Sequence, residues 1–555
     1  MENYILISNK QTEYTVVYPF CGDRRTAERN AAEYISQYAY KSTGVKIPVC
    51  ADNDAIVKTR KFISVGRTAL QQQNGIRFNY GLLAHDGYFI KTAGDCVYID
   101  GVSGRGIFYG ALEFIERVMG VKFLAFDDIF VPKTDTIRFA ETDITDNPDF
   151  EDRTFSHEKT MNDYKFMAEM RMIDEYVDFP EEYGGNLGWF WDKRYLISPV
   201  HNTLSFVEPD KYYEKHPEWF FSEKGYPIDL CYSHTGLKED GSIDESLAES
   251  PVKIAAAKMT DIIINDDKNC KYYMIGQMDY PTACTCPDCI EQEQKYGRSG
   301  MLIRFVNAVA REVRKNLNER GIKKQYHICT FAYQWSQSAP AKRENGKIVP
   351  MHDSVVPDDD VLIRICSIKA NQYYSVISPK QIDITRNMFE EWAVLLEGKT
   401  SMIWSYHSRF TYPFCFFPTM QHWKQDFEVY RRMGCKYIFM EPNHFEPNDW
   451  KTVMETYVAA KLLWDNGKNP YSLRDEFIKY YYGPISDLVK RFTENFDNLF
   501  TALMEKTPCP DMRLQGLDDI LSAKWYSIEF WEEQFRLIDE MYAIIAKARL
   551  SDEEK

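Results

Sequence analysis

The sequence predicts an α/β protein built around a (β/α)8 TIM barrel, which follows a small α/β domain and precedes a helical subdomain. Short apolar runs alternate with helical segments from about residue 150, a pattern typical of parallel β-α units. A separate α/β pattern precedes them, and only helical patterns follow. The chain has 555 residues, which is too long for one hydrophobic core, so several domains are expected.

Residues 1–145 are predicted to form the first domain. Tyr14–Tyr18 has the composition of a strand, and the segment Thr26–Tyr40 has one apolar helical face and is followed by Gly44 as a stop signal. Tyr88–Lys91 and Val97–Asp100 are expected to pair as a hairpin. A second helix is predicted over residues 106–119. This mixture indicates one compact α/β domain.

Residues 146–467 are predicted to form the barrel, because eight strand candidates fit within them. These candidates are Thr154–His157, Tyr195–His201, Ile228–Tyr232, Lys271–Asp279, Gln325–Tyr333, Val361–Ser367, Thr400–Tyr406 and Cys435–Glu441. Helical segments follow most of them, and the clearest is Met301–Asn316 with its single apolar face. Residues 468–555 show amphipathic stretches without strand patterns, so they are assigned to the helical subdomain.

The net charge of −16 argues against nucleic acid as a partner, because binding phosphate requires clustered Lys and Arg. An aromatic content of 15% is compatible with packed cores or with rings that stack on sugars. No segment approaches the roughly 20 apolar residues of a membrane helix. The first residues lack a basic start and a long apolar run, so we expect a cytoplasmic protein, or a secreted or periplasmic one after removal of a signal peptide. The oligomeric state is not predictable.

The candidate catalytic residues are Asp279 and Glu441, which end the fourth and eighth predicted strands. Catalytic groups in TIM barrels come from the carboxyl ends of the strands. Glycoside hydrolysis normally needs two carboxyl groups, of which one is protonated and the other ionised. Glu158 is the reserve carboxylate. The alternative for each is an ion pair at the barrel rim.

Other polar and aromatic side chains at the strand ends are candidates for substrate binding. Imidazoles, amides and guanidinium groups can bond sugar hydroxyls or carboxylates, and indoles can stack on sugar faces. The alternative for the indoles is core packing, and for a single histidine it is a structural role. The candidates are His201, Asn202, Trp335, Arg364, Trp404 and His407.

Cys284, Cys286 and Cys289 follow the fourth predicted strand within six residues. Three such thiols resemble three corners of a tetrahedral zinc or iron site, with Cys231 or Cys329 as the fourth ligand. Free thiols and a local disulfide are the alternatives. The cluster lacks the His or carboxylate ligands expected of metal-assisted hydrolysis, so a structural zinc ion is the predicted role, and catalysis is expected to need no cofactor.

Several segments resemble known carbohydrate-active families. GRGIFYGALEFIERVMGVKFL is similar to the domain that precedes the barrel in α-glucuronidases and β-hexosaminidases. The segments HPEWFFSEKG, LCYSHTG, CTCPDC, SGMLIRFVNAVAREV and AKLLWD resemble a large bacterial family known as a domain of unknown function. Members of that family are associated with endo-β-N-acetylglucosaminidase activity on complex N-glycans. The resemblance covers roughly residues 60–490 and implies the barrel fold and a glycan substrate.

The resemblance places the family's polar-Asp pair on Met278 and Asp279, and its strand-eight acid on Glu441. Its cysteine cluster falls on the three thiols named above. Two positions depart from the pattern, because Met278 stands where Asn is usual and Ser405 where Asp is frequent. In N-acetylhexosaminidases that use the substrate's own acetamido group, a polar neighbour holds that group, and Met278 offers no such side chain.

Three functional hypotheses follow. The first is a hydrolase acting on a β-linked N-acetylglucosamine-containing glycan, in which Asp279 is the general acid and Glu441 the base or charge stabiliser. The second is a glycosidase acting on uronic acids, in which Arg364 and Lys369 bind the substrate carboxylate. The third is a glycan-binding protein on a degenerate barrel, which the departures at Met278 and Ser405 favour.

Overall fold

The computed structural model of the chain describes most of its length. The described residues are 3–54, 61–126, 128–157, 160, 162–173, 177–185, 200–266, 270–408, 410, 418–442, 450–505, 513 and 526–547. Among them no helix combines the length and apolar character needed to cross a bilayer.

The first part of the chain forms a mixed six-stranded sheet in the order β10-β5-β6-β4-β2-β3. Its strands are β2 (Tyr14–Tyr18), β3 (Val49–Ala51), β4 (Lys61–Val65), β5 (Tyr88–Ala93), β6 (Cys96–Gly101) and β10 (Asp143–Asp146). The helices Ala27–Thr43 and Gly104–Met119 pack on this sheet and on each other. Thr26 caps the first helix and Gly44 ends it in a left-handed conformation at φ 75°. The α/β pattern predicted for this segment is therefore confirmed.

Two small pairs of strands flank this sheet. They join β1 (Asn3–Ile7) to β9 (Ile137–Ala140) and β7 (Lys122–Ala125) to β8 (Asp128–Phe130). After β7 and β8 the chain continues through β9 and then β10, which is an edge strand of the first sheet. The next strand, β11, belongs to the parallel sheet.

A second six-stranded sheet is entirely parallel and has the order β11-β20-β19-β18-β15-β14. Its strands are β11 (Asp152–Phe155), β14 (Tyr272–Met274), β15 (His327–Ala332), β18 (Val361–Cys366), β19 (Ser401–Tyr406) and β20 (Cys435–Glu441). Six of the eight predicted strands thus lie in one sheet. The first and last predicted strands are neighbours, as in a barrel.

The parallel sheet is strongly curled. Strands β14 and β20 are four steps apart, which is about 19 Å in a flat sheet at the usual strand spacing. The rings of Tyr272 and Tyr437 nevertheless lie 5.0 Å apart, and their hydroxyls are hydrogen-bonded. Alternate side chains from the strands fill the inside of the curl as a separate apolar cluster, which includes Phe331 and Tyr406. The sheet is therefore a half-barrel with a packed interior.

The chain continues beside both edges of this half-barrel. Ile173 N–H donates to Arg153 O at 3.1 Å next to β11. At the other edge, Asn202 and Thr203 N–H donate to Gly276 O, at 2.9 Å and 3.1 Å, beyond β14. The described residues show no strand at either place, so closure into eight strands stays a prediction.

Two predicted strands have other outcomes. Residues 195–199 of the second candidate lie outside the described residues, and His201 has a left-handed φ of 47°. The third candidate, Ile228–Tyr232, was wrongly assigned to the parallel sheet. Residues Tyr226–Leu230 (β13) pair antiparallel with Phe220–Glu223 (β12), because Lys224 and Gly225 both adopt positive φ in a two-residue turn.

Helices cover the outside of the half-barrel and continue beyond it. The outer helices are Pro251–Asn265, Pro287–Tyr296, Arg298–Glu319, Asp383–Leu395, Met420–Arg432 and Trp450–Trp464. In Arg298–Glu319 the predicted apolar face, including Leu302, Phe305 and Val309, is buried. The tail helices are Pro470–Tyr482, Ser486–Met504 and Ile528–Lys547. The domain boundaries near residues 145 and 467 stay predictions. Two further strands, β16 (Ala341–Glu344) and β17 (Lys347–Pro350), pair as a hairpin.

Candidate functional site

The candidate site lies where the parallel strands end. Because the strands run in one direction, their carboxyl ends share one edge, and this edge carries the ligand sites of such sheets. Asp279 follows β14, Tyr333 follows β15, and Glu441 is the last residue of β20. The sequence prediction therefore placed both candidate carboxylates on the same edge of the half-barrel.

Glu441 is held by its neighbour on β19. It lies opposite Tyr406 in the register of β19 and β20, and Trp404 Nε1 donates to Glu441 Oε2 at 2.6 Å. The Trp404 ring packs against Phe439 at 4.3 Å, which fixes the direction of its N–H. One Glu441 oxygen is thus engaged by a neutral donor, and the side chain stays partly exposed.

Arg364 lies directly beneath this contact. Its guanidinium group is 4.6 Å from the Trp404 ring and 5.2 Å from the Phe439 ring. Only 3% of Arg364 is exposed, so this cation is a part of the half-barrel interior. Burial raises the pKa of the Cys366 thiol above its usual value. The Arg364 charge opposes this rise, and Glu441 adds to it. The part of the site that Arg364 and Cys366 form is thus polar, charged and closed to solvent.

Asp279 is exposed, and its contact is with an aromatic hydroxyl. Tyr333 Oη donates to Asp279 Oδ1 at 3.0 Å, and burial raises the pKa of this tyrosine above its usual value. Tyr333 also lies 5.4 Å from the ring of His201. His201 Nδ1 donates to Gln277 O at 2.8 Å, because a carbonyl oxygen only accepts. In a neutral His201, Nε2 is then an acceptor, on a ring that packs against Tyr333.

Asn202 and His407 are buried, and each is hydrogen-bonded to neighbouring residues of the fold. The Asn202 amide donates to Met274 O at 2.9 Å and accepts from Gly276 N at the same distance, so it holds the end of β14. Trp423 Nε1 donates to His407 Nδ1 at 2.9 Å, and His407 Nε2 lies 2.9 Å from Ser405 Oγ. Burial lowers the pKa of His407 well below its usual value, so the ring is neutral. Their predicted contacts with substrate stay predictions.

Trp335 lies deeper than a stacking platform would require. It is 8% exposed and packs 5.5 Å from Tyr232. Within the described part of the chain its indole N–H has no hydrogen-bond partner. The reserve carboxylate, Glu158, lies outside the described residues.

Sequence reasoning missed Asp229, which lies under the turn that carries Asp279. Its Oδ1 accepts from Thr203 Oγ1 at 2.6 Å and Leu230 N at 2.8 Å, and its Oδ2 accepts from Met278 N at 3.1 Å. Burial raises the pKa of Asp229 to about 6, although these hydrogen bonds lower it. A charged residue within the apolar run YPIDLCY is the signal that would have pointed to it. Asp229 fixes the backbone next to Asp279.

The raised pKa of Asp229 predicts a pH-dependent stability. Between pH 3.8 and about pH 6 the native Asp229 keeps its proton, whereas the same group in the unfolded chain has lost it. This group therefore increases the free energy of unfolding as the pH falls from 7 to 4. The full effect is about 3 kcal/mol. We expect the melting temperature of wild type, relative to Asp229→Asn, to rise over this range in thermal scans at fixed rate. A constant difference would contradict the assignment.

The three predicted thiols come together with a fourth. The sulfur atoms of Cys231, Cys284, Cys286 and Cys289 all lie within 4.8 Å of one another. Cys329, the other predicted fourth ligand, lies instead in the half-barrel interior.

Comparisons with known proteins identify a family and a fold. The profile of the family described as Domain of unknown function (DUF4838) matches residues 123–494. No curated protein matches the chain. A solved structure of BtGH115A, a family GH115 4-O-methyl-α-glucuronidase with specificity for decorated arabinogalactans, is 12% identical at a TM-score of 0.52, over 99% of this chain and 70% of that one. This likeness shows a shared fold.

Two further solved structures are similar at lower scores. CpGH84B is 12% identical at a TM-score of 0.47, over 98% of this chain and 94% of that one. A GH138 enzyme targeting pectin rhamnogalacturonan II is 12% identical at a TM-score of 0.41, over 88% of this chain and 70% of that one.

Proposed function

The chain belongs to the DUF4838 family, and from that premise we propose that it is a glycoside hydrolase with Asp279 and Glu441 as its catalytic carboxyl groups. The observation that carries the proposal is the pair of carboxylates on one edge of the half-barrel, each held by an aromatic donor. We further propose that the half-barrel closes into an eight-stranded barrel through the segments at Ile173 and Asn202.

In the proposed reaction Asp279 protonates the departing glycosidic oxygen. Among the described residues, the hydroxyl of Tyr333 bonds one Asp279 oxygen, and we assign the other oxygen to the substrate. A carboxylic acid at this place supplies the proton that an alkoxide leaving group requires. The acceptor nitrogen of His201 is suited to binding a sugar hydroxyl nearby.

Glu441 acts as the base that takes a proton from the water attacking the anomeric carbon, or it stabilises the positive charge of the transition state while water attacks. The indole N–H of Trp404 holds one of its oxygens in place. We propose a β-linked N-acetylglucosamine-containing glycan as substrate. Since the Met278 side chain offers no polar group to hold an acetamido group, the proposed reaction relies on Glu441 and not on assistance by the substrate. No cofactor takes part in this reaction.

The experiment that tests the function is product formation by wild-type protein. N-glycans, chitooligosaccharides and glucuronoxylan fragments would each be incubated with the protein and analysed by mass spectrometry. Cleavage of the first two classes supports the proposal, whereas cleavage of glucuronoxylan alone supports the uronic-acid alternative. Binding of a glycan without any cleavage would show a binding protein instead. The burial of Arg364 does not favour the uronic-acid alternative, because a substrate carboxylate needs an accessible cation, whereas Lys369, the other cation of that hypothesis, is partly exposed.

The Trp404–Glu441 contact predicts a specific loss of rate. Trp404→Phe keeps an aromatic ring and removes the N–H donor, and a hydrogen bond to a charged group contributes roughly 1.5–3 kcal/mol. We expect kcat/KM to fall about tenfold to a hundredfold in steady-state assays. Trp531→Phe, in the helix Ile528–Lys547, is the matched control and should keep the wild-type rate. Equal rates for the two variants would exclude this role.

A further inference from the structure

We propose that Cys231, Cys284, Cys286 and Cys289 bind one zinc ion, which fastens the segment carrying Asp279 to the β12–β13 hairpin. The site is separate from the proposed catalytic carboxyl groups and does not depend on the glycosidase proposal. It adds a fourth ligand from a distant part of the sequence to the three thiols after β14.

The spacing of the sulfur atoms matches a tetrahedral metal site. Cys231 Sγ lies 3.6 Å from Cys286 Sγ, 3.5 Å from Cys289 Sγ and 3.6 Å from Cys284 Sγ. Tetrahedral zinc with Zn–S bonds of about 2.3 Å separates its sulfur ligands by about 3.8 Å. All four cysteines are free, and Cys231 and Cys289 are buried. Four thiols converging at this distance offer a closed ligand set, as in structural zinc sites.

The surroundings favour negative charge on the sulfur atoms. Cys286 caps the helix Pro287–Tyr296 and accepts from Cys289 N at 3.4 Å, so the positive end of the helix faces the thiols. Ser233 Oγ lies 3.1 Å from Cys289 Sγ and 3.2 Å from Cys231 Sγ. His234 Nδ1 lies 3.1 Å from Cys231 Sγ, and its Nε2 lies 3.0 Å from Asp288. A hydroxyl donor such as Ser233 stabilises thiolate ligands.

The metal would hold together two segments that also meet near the catalytic acid. Asp229 bonds the backbone of Met278, and Cys231 follows Asp229 by two residues. Asp279 and Cys284 lie on the opposing segment, five residues apart. The carboxyl end of β13 thus contacts this segment at two places, through the Asp229 carboxylate and through the Cys231 sulfur. When Zn²⁺ binds, the four S–H groups become thiolates and release their protons to solvent, without oxidation.

The experiment measures metal content and ligand type in the full-length protein purified under reducing conditions with zinc present. Elemental analysis should give about one zinc per chain, and X-ray absorption at the zinc edge should give four sulfur neighbours at about 2.3 Å. Iron in place of zinc, fewer than four sulfur neighbours, or no bound metal would overturn the proposal. These measurements on wild type need no variant to fold, and they are independent of glycosidase activity.

A matched pair of variants identifies the fourth ligand. Cys231→Ala should retain less than a tenth of the zinc, whereas Cys329→Ala, which removes the other sequence candidate, should retain all of it. Full zinc in Cys231→Ala, or its loss only in Cys329→Ala, would contradict the assignment of Cys231. If Cys231→Ala does not fold, the sulfur count of Cys329→Ala decides the question, because four neighbours exclude Cys329 as a ligand and three contradict the assignment of Cys231.

Discussion

Glu441→Gln is expected to lower kcat/KM by about a hundredfold to ten-thousandfold on the glycan that wild type cleaves, because it removes the ionisable group and keeps its shape. The amide oxygen of Gln can still accept the hydrogen bond from Trp404 Nε1, so the surrounding structure should persist. The effect therefore separates charge from packing. The measurement is the steady-state rate with that glycan at several concentrations.

The control for this variant lies at the other end of the same sheet. Glu397 is exposed and precedes β19 at its amino end, far along the strand direction from Glu441. Glu397→Gln should therefore leave the rate unchanged. A fall of less than tenfold for Glu441→Gln, with unaltered melting behaviour, would show that Glu441 is not a catalytic group.

Asp86→Asn is expected to lower the free energy of unfolding by about 3–5 kcal/mol, because it leaves two buried cations without their anion. This is the largest effect on stability that we predict. Asp86 Oδ1 accepts from Arg105 Nε at 3.0 Å, and its Oδ2 accepts from an Arg153 terminal nitrogen at 2.7 Å. All three side chains are at most 2% exposed. Arg153 lies on β11 and Arg105 in the helix Gly104–Met119, so this carboxylate joins the N-terminal sheet to the half-barrel.

The charge state of Asp86 supports this expectation. Burial alone would raise its pKa, but Arg105, the His85 hydrogen bond and Arg153 hold the pKa well below its usual range. The stabilisation is thus complete above the ordinary value of 3.8 and is lost progressively as the pH falls from there through the lower native value. Urea unfolding at pH 7 measures it. The matched control, Asp143→Asn, removes an exposed partner of Lys91 and should cost less than about 1 kcal/mol. Equal costs for the two variants would contradict the prediction.

The sequence predicted the parallel sheet well because its strands are continuous apolar runs. Val361–Cys366 was predicted to within one residue, and Cys435–Glu441 to the residue. Strands buried on both faces need apolar side chains at every position, which makes them visible without long-range information. The positions of Asp279 and Glu441 on one edge then follow from the common direction of the strands.

The remaining features depend on contacts between distant segments. The run at Tyr226–Leu230 has the composition of a parallel strand, and only the turn at Lys224 and Gly225 reverses it into a hairpin. That hairpin brings Asp229 to Met278 and Cys231 to the other thiols, across 49 and 53 residues of sequence. Sequence spacing could offer Cys231 and Cys329 equally, because nothing local distinguishes them. The tertiary structure brings Cys231, and not Cys329, next to the other three thiols.

The most direct test of the account is the dependence of Asp279→Asn on the leaving group. If Asp279 protonates the departing oxygen, the variant should lose about a hundredfold to ten-thousandfold in kcat/KM on the natural glycan. It should lose less than tenfold on a 4-nitrophenyl glycoside of the same sugar, whose phenolate departs without a proton. Asp359→Asn, an exposed carboxylate before β18, should match wild type on both. Equal losses of Asp279→Asn on both substrates, or no loss on either, would contradict the central claim.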